Sequence, residues 1–211
     1  MQKDWFYSVD RSFENVIVIS KSRFITTLLP ISGYDDALEK IKAISKRYSD
    51  ATHNCYAFIS NESMTEQRFS DDGEPQGTAG MPMLEVLRKR KVCMTLVVVT
   101  RYFGGVKLGA NGLVGAYSSS VAQALDNAKL LKNEWAEIVK ICVDYGAYKK
   151  IEEICVRADG QVVDVAYDKD VALTVALPSQ NSKEVFEKIV DFTQNNAKID
   201  TIESRYFQFE I

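Results

Sequence analysis

His53 and Cys55 stand two residues apart in ATHNCYAFIS. On a strand, residues two apart share a face, and an imidazolium beside a thiol lowers the thiol pKa, as a cysteine nucleophile requires. The sequence offers no third group to orient the imidazole, and the other reading is a structural histidine beside a buried cysteine. A second candidate is the acidic loop RFSDDGEPQGTAGMP, Arg68 to Pro82. Its Asp71, Asp72 and Glu74 offer oxygens to Mg²⁺ or partners to basic groups, although D-D-G-E-P is equally the composition of a solvated turn. The third is TRYFGGVKLGANGLVGAY, with glycines at 104, 105, 109, 112 and 115. A buried strand, a glycine loop and a helix in succession aim free helix N–H groups and the positive end of the helix dipole at one point, a ready anion site. Lys107 and Arg101 add charge there, and Gly104, Gly105 and Gly109 add backbone amides. The competing reading is that the glycines serve tight turns and close packing.

Known phosphate loops do not fit this third stretch. Gly104 to Gly109 has the spacing G-x-x-x-x-G, but Ala110-Asn111 stands where a P-loop needs Lys and Ser or Thr, and no G-x-G-x-x-G occurs. Walker-type ATP hydrolysis is therefore not expected. Tyr102 and Phe103, beside the glycines, either stack on bases or fill core. The four cations Arg88 to Lys91 end a predicted helix, where the dipole favours them and where they also suit phosphate.

The elements that must position these residues follow from periodicity. ENVIVIS and SRFITTLLPI read as strands joined by a tight SKS turn, and GYDDALEKIKAISKRYSD repeats apolar residues at helical spacing. ATHNCYAFIS is a strand; MPMLEVLRKRK is a short helix with Pro82 at its first position; VCMTLVVVT is a buried strand; NGLVGAYSSSVAQALDNA is a helix with an apolar face. The pattern changes within KLLKNEWAE, which predicts two domains, 1–132 and 133–211. The second reads strand EIVKICVDY, helix AYKKIEEICVRAD, strands QVVDVAYD and DVALTVALP about an Asp168-Lys169 turn, helix SKEVFEKIVDFTQNN and strand DTIESRYFQFEI. That βαββαβ order is ferredoxin-like, so the fold class is α+β.

Composition narrows the partners. At 46% hydrophobic the chain can bury a core. MQKDWFYSVD lacks the features of a signal peptide, and no apolar run approaches the roughly 20 residues that span a bilayer. A soluble cytoplasmic protein without membrane contact is expected. Cys55, Cys93, Cys142 and Cys155 form no C-x-x-C pair and His53 is the single histidine, so reduced thiols, no structural metal and no cofactor are expected. A net charge of −3 argues against a polycation, and no sequence-specific DNA binding is expected. Residues 1–132 nevertheless hold 17 Lys and Arg against 14 Asp and Glu, and residues 133–211 hold 9 against 15. A polyanion-binding surface belongs in the first part.

KSRFI, ATHNCYAF, SDDGEPQGTAGMP and TRYFGGVKLGANGLVGAY, in this order, resemble the bacterial YigZ/YvyE-like members of the IMPACT family. The resemblance implies a first domain with the α/β fold shared by the second domain of a small-ribosomal-subunit protein and the fourth domain of elongation factor G. It implies a ferredoxin-like second domain similar to the fifth domain of that factor. Both relatives act on ribosomal RNA. Eukaryotic members regulate translation by binding a stress-kinase activator, partly through an extra N-terminal domain for which this sequence shows no counterpart; the activity of bacterial members is unsettled. Bacterial relatives commonly carry Arg where this chain has Gly115; if that Arg contacts an anion, this chain binds it more weakly or relies on Lys107 and Arg101. Small-molecule kinases share the first-domain fold, and GLVGAYSSS is faintly similar to their phosphate loop without its G-L-G-S-S pattern.

The function expected from this reading is non-catalytic binding of RNA or the ribosome, with modulation of translation. Arg101, Lys107 and the amides of Gly104, Gly105 and Gly109 meet phosphate. Asp71, Asp72 and Glu74 orient the basic groups or a metal, with His53, Cys55, Gly77 and Thr78 in support. The alternatives are an enzyme acting on a phosphorylated or nucleotide-like small molecule and a protein-interaction module with a protein partner.

Overall fold

The computed structural model describes residues 5–209, which form ten strands and five helices in two sheets, an α+β protein. The chain divides into two compact units, Phe6–Lys132 and a second formed mainly by Asn133–Ile211. Met1 to Asp4 of the opening decapeptide, and Glu210 and Ile211 of the last expected strand, lie outside the described residues.

The first unit begins with β1 (Phe6–Val9), a short strand that the sequence pattern did not reveal, bridged at Tyr7 to Val92. β2 (Phe13–Ile19) and β3 (Ser22–Pro30) form an antiparallel hairpin closed by Ser20-Lys21, both at positive φ (46° and 63°). That two-residue turn matches the right-handed twist of the strands it joins. Then come α1 (Tyr34–Arg47), β4 (His53–Ile59), β5 (Gln67–Ser70), α2 (Gly80–Lys89), β6 (Thr95–Tyr102) and α3 (Gly109–Asn127). The sheet order is β2-β3-β6-β4-β5, which puts the β-branched run of β6 at its centre. Side chains alternate across it. Phe58, Leu96 and Val98 pack with Ala37 and Ile44 of α1 on one face. On the other face Phe24 and Thr26 of β3 meet Tyr117 and Ser120 of α3.

Two further details of the first unit differ from the sequence expectation. Arg68 to Ser70 are not loop: they belong to β5, which pairs with Tyr56 to Ile59 of β4. Pro82 is the third residue of α2, not its first, because Asp71 binds the amides of Ala79 and Gly80 and so draws the first turn upstream. The third position still tolerates proline, since its N–H would have no intrahelical acceptor.

The second unit follows as β7 (Leu130–Val143), α4 (Tyr148–Arg157), β8 (Gln161–Tyr167), β9 (Val171–Pro178), α5 (Ser179–Thr193) and β10 (Lys198–Phe209). β9 lies between β7 and β8, antiparallel to both, and β10 pairs with β7, the split βαβ arrangement of a ferredoxin-like fold. Val139, Ile141, Leu173 and Val175 form its core with Ile151 and Cys155 of α4 and Val185 and Ile189 of α5. The division at Lys132 falls inside β7, so an unbroken strand stands where a linker would be looked for. No helix among the described residues is long and apolar enough to cross a membrane.

Candidate functional site

The strand register assembles the first layer of the site. Arg101 of β6 lies opposite Phe24 of β3 and opposite His53 of β4, and in the next row Val99 lies opposite Thr26 and Cys55. Both rows face α3. Tyr117 enters from the helix, fully buried, its ring edge-on to Phe24 with centroids 5.4 Å apart.

The acidic loop closes over this end of the sheet, and each of its carboxylates is taken by a protein donor. Asp71 Oδ2 accepts the Gly77 amide at 2.8 Å, while its Oδ1 accepts the amides of Ala79 at 3.0 Å and Gly80 at 2.8 Å. It thus satisfies donors at the start of α2 that the helix itself leaves free. Gly77 holds φ 77° and Thr78 Oγ1 donates to the Pro75 carbonyl, which shapes the turn. Asp72 Oδ2 accepts the Asn54 amide at 2.6 Å. Glu74 points inward, only 8% exposed, and Oε1 accepts from Arg101 Nη1 at 2.5 Å and from the Tyr117 hydroxyl at 2.8 Å. Arg101 itself is 5% exposed. Its Nη2 donates to Ser22 Oγ at 3.3 Å, its Nε has no hydrogen-bond partner among the described residues, and the ring centroids of Phe24 and Phe103 lie 5.4 and 5.6 Å from its guanidinium carbon. Arg101 and Glu74 therefore form a desolvated ion pair that locks the acidic loop to the sheet.

His53 and Cys55 share the expected face but serve the same lock. His53 Nδ1 is 2.8 Å from the Asp72 carbonyl oxygen, which can only accept, so Nδ1 carries the proton; Nε2 stands 3.8 Å from Glu74 Oε2. Cys55 Sγ donates to the Asp71 carbonyl at 2.9 Å and lies 3.4 Å from the Tyr117 hydroxyl. Desolvation pushes the Cys55 thiol up to about 12, opposed by the Tyr117 contact and reinforced by the charges of Glu74, Asp72 and Asp71. Burial likewise holds the Tyr117 phenol protonated. A thiol protonated at neutral pH is a weak nucleophile. Among the described residues no three His, Cys, Asp or Glu side chains are grouped to hold a metal.

The glycine loop does two separate things. At Gly104 a Cβ would fall 2.0 Å from the carbonyl carbon and oxygen of Lys21, so the missing side chain lets the loop cross the β2–β3 hairpin; its amide donates to Ser22 Oγ at 3.2 Å. Gly105 and Gly109 instead supply positive φ (85° and 71°), with open space beside them. Beyond Gly104 the chain turns outward. Gly105, Val106, Lys107 and Gly109 to Asn111, the first turn of α3, are exposed. Lys21 and Arg23 are exposed on the hairpin that Gly104 crosses, and Phe103 is 46% exposed. Ser20 to Arg23 and Tyr102 to Gly112 together form a rim that carries Lys21, Arg23 and Lys107 and no carboxylate of its own; Arg23 lies over the Tyr102 ring, 5.7 Å from its centroid, and the Tyr102 hydroxyl donates to Asp50.

The structure thus separates the residues that the motifs group together. Lys107, Gly105 and Gly109 face solvent; Arg101, Glu74 and Cys55 are interior; Gly104 is half-buried against the hairpin; Asp71 and Asp72 bind backbone. Of the RKRK run, Arg90 pairs with Asp126 at 2.5 Å and Arg88 bonds Gln67, so that patch is partly committed. Sequence reading missed Tyr117, Ser22, Lys21 and Arg23. KSRFI and GAY lie inside recognised motifs, but only the hairpin and the α3 packing show that they join the site.

Fold and site together define a two-unit α+β protein with an internally locked motif cluster beside an exposed basic rim. Residues 20–125 match the Impact N-terminal domain, and residues 141–196 match a Domain of unknown function (DUF1949). The chain is 37% identical to the IMPACT family member YvyE of Bacillus subtilis, covering 96% of this chain and 94% of that protein. It is 36% identical to the IMPACT family member YigZ of Escherichia coli, covering 88% and 92%. A crystal structure of an hypothetical protein, 33% identical, shares the fold with a TM-score of 0.58 over 96% of this chain and 98% of that one. The chain belongs to the IMPACT family.

Proposed function

We propose that this IMPACT-family protein is a cytoplasmic RNA-binding protein that acts on the ribosome and modulates translation. The observation that carries the reading is the rim: Lys21 and Lys107 stand exposed on the two segments that cross at Gly104, next to the first turn of α3 and with no carboxylate in either segment, while Arg23 lies over the Tyr102 ring on the opposite face of the sheet. A phosphate chain passing there meets two cations, the free amides of a helix N-terminus and its dipole. Lys21 and Lys107 form no ion pair with the described residues, so phosphate displaces no internal partner from them. The locked cluster supports the rim from beneath. Ser22 Oγ, which accepts from both Arg101 and Gly104, ties the hairpin to the glycine loop and so fixes the spacing of the cations.

Co-sedimentation with ribosomes at low and moderate salt tests this. The wild type is expected to pellet with ribosomes in a salt-sensitive manner, and a Lys21→Glu, Lys107→Glu double variant, altered only at exposed positions, to remain in the supernatant. Equal pelleting of the two proteins would remove the rim as the binding surface.

A further inference from the structure

Phe103 is the one large aromatic residue of the rim that is half exposed, and the backbone that carries it is fixed. Its amide donates to Thr52 Oγ1 at 3.1 Å, and the next amide, Gly104, donates to Ser22 Oγ at 3.2 Å. The two preceding residues are equally fixed: Tyr102 bonds Asp50 through its hydroxyl, and Arg101 is clamped by Glu74. The Arg101 guanidinium lies 5.6 Å from the Phe103 ring centroid and is itself buried, so a fixed cation backs the ring. The backbone that carries the exposed ring is thus already ordered, which lowers what binding has to order. Gly104 packs against the hairpin, but beside Gly105 the space is open, and Lys21 and Lys107 lie exposed on the same rim.

We propose that Phe103 is a stacking platform for one unpaired nucleobase, so that the rim takes single-stranded RNA in preference to duplex. The inference rests on the RNA reading above and adds the class of RNA and the residue that selects it. In a duplex the bases are already stacked and paired, whereas a splayed base offers its π face to an aromatic side chain while the adjacent phosphates meet Lys21 and Lys107. The two contributions differ in kind. Stacking is insensitive to salt, and phosphate contacts set the salt dependence.

The test uses the full chain and a labelled single-stranded RNA oligonucleotide of mixed sequence, with the duplex of the same sequence alongside, over a salt series. Phe103→Ala and Phe103→Leu, the second keeping apolar bulk without a π face, are expected to lower single-strand affinity about tenfold with an unchanged salt slope. Phe103→Trp is expected to retain the affinity, and Lys107→Glu to flatten the slope. Wild-type affinity in Phe103→Leu, with binding weakened in Lys107→Glu, would overturn the platform and leave the rim standing. No RNA binding by the wild type would overturn both.

Discussion

At the scale of single residues, Arg101 and Glu74 decide how the motif cluster reads. As letters in a sequence they are a basic and an acidic group offered to a ligand; in the structure each is the other's partner, removed from water. Breaking such a pair by truncating one member strands the other charge in a low-dielectric interior. Glu74→Ala is expected to destabilise the first unit by about 3–5 kcal/mol, read from denaturant unfolding. A loss near zero would mean that water reaches Arg101. His53 and Cys55 illustrate the same point: the period of a strand puts them on one face, yet that face is covered by α3 and the acidic loop, whose carbonyls take both side chains.

At the scale of elements, Asp71 is the hinge between loop and helix. α2 has no acidic residue in its first turn and no side-chain cap at Ala79. Asp71, nine residues before Gly80, supplies the missing acceptor to three amides. Asp71→Ala is expected to cost about 2 kcal/mol and to raise amide exchange at Ala79 and Gly80 ahead of the rest of α2. Turn composition made the loop legible as a turn, and helix periodicity made α2 legible as a helix. The cap was not legible, because capping signals are sought within a few residues of the helix start. β5 was hidden for a related reason: four residues with one aromatic carry little strand signal until β4 offers them a partner.

At the scale of the whole molecule, the thiols make a prediction about pH. Burial pushes Cys55, Cys93 and Cys155 each up to about 12, two in the first unit and one in the second. In the unfolded chain they ionise near their ordinary value, so between that value and about 12 the folded state holds the extra protons, and stability falls as pH rises. Near neutral pH they contribute no slope; by about pH 10 each thiol is expected to have lost the protein roughly 1 kcal/mol. Urea unfolding at about pH 8 and about pH 10 checks this. A flat profile would mean that the thiols ionise within the fold.

What the sequence by itself determined is the part written in local patterns. Period-two and helical spacings defined most of the strands and helices, the βαββαβ order gave the second unit its topology, and the motif strings carried the family. Charge counts placed the basic surplus in the first part of the chain. Only the tertiary structure decided which charged residues are available. Burial and pairing depend on which strands become neighbours and what packs on them, and the register that sets Arg101 beside His53 and Phe24, beneath a loop that begins thirty residues upstream, is a long-range property. That register turned the motif's arginine inward against Glu74, and it left Lys21, Arg23, Phe103 and Lys107 as the surface.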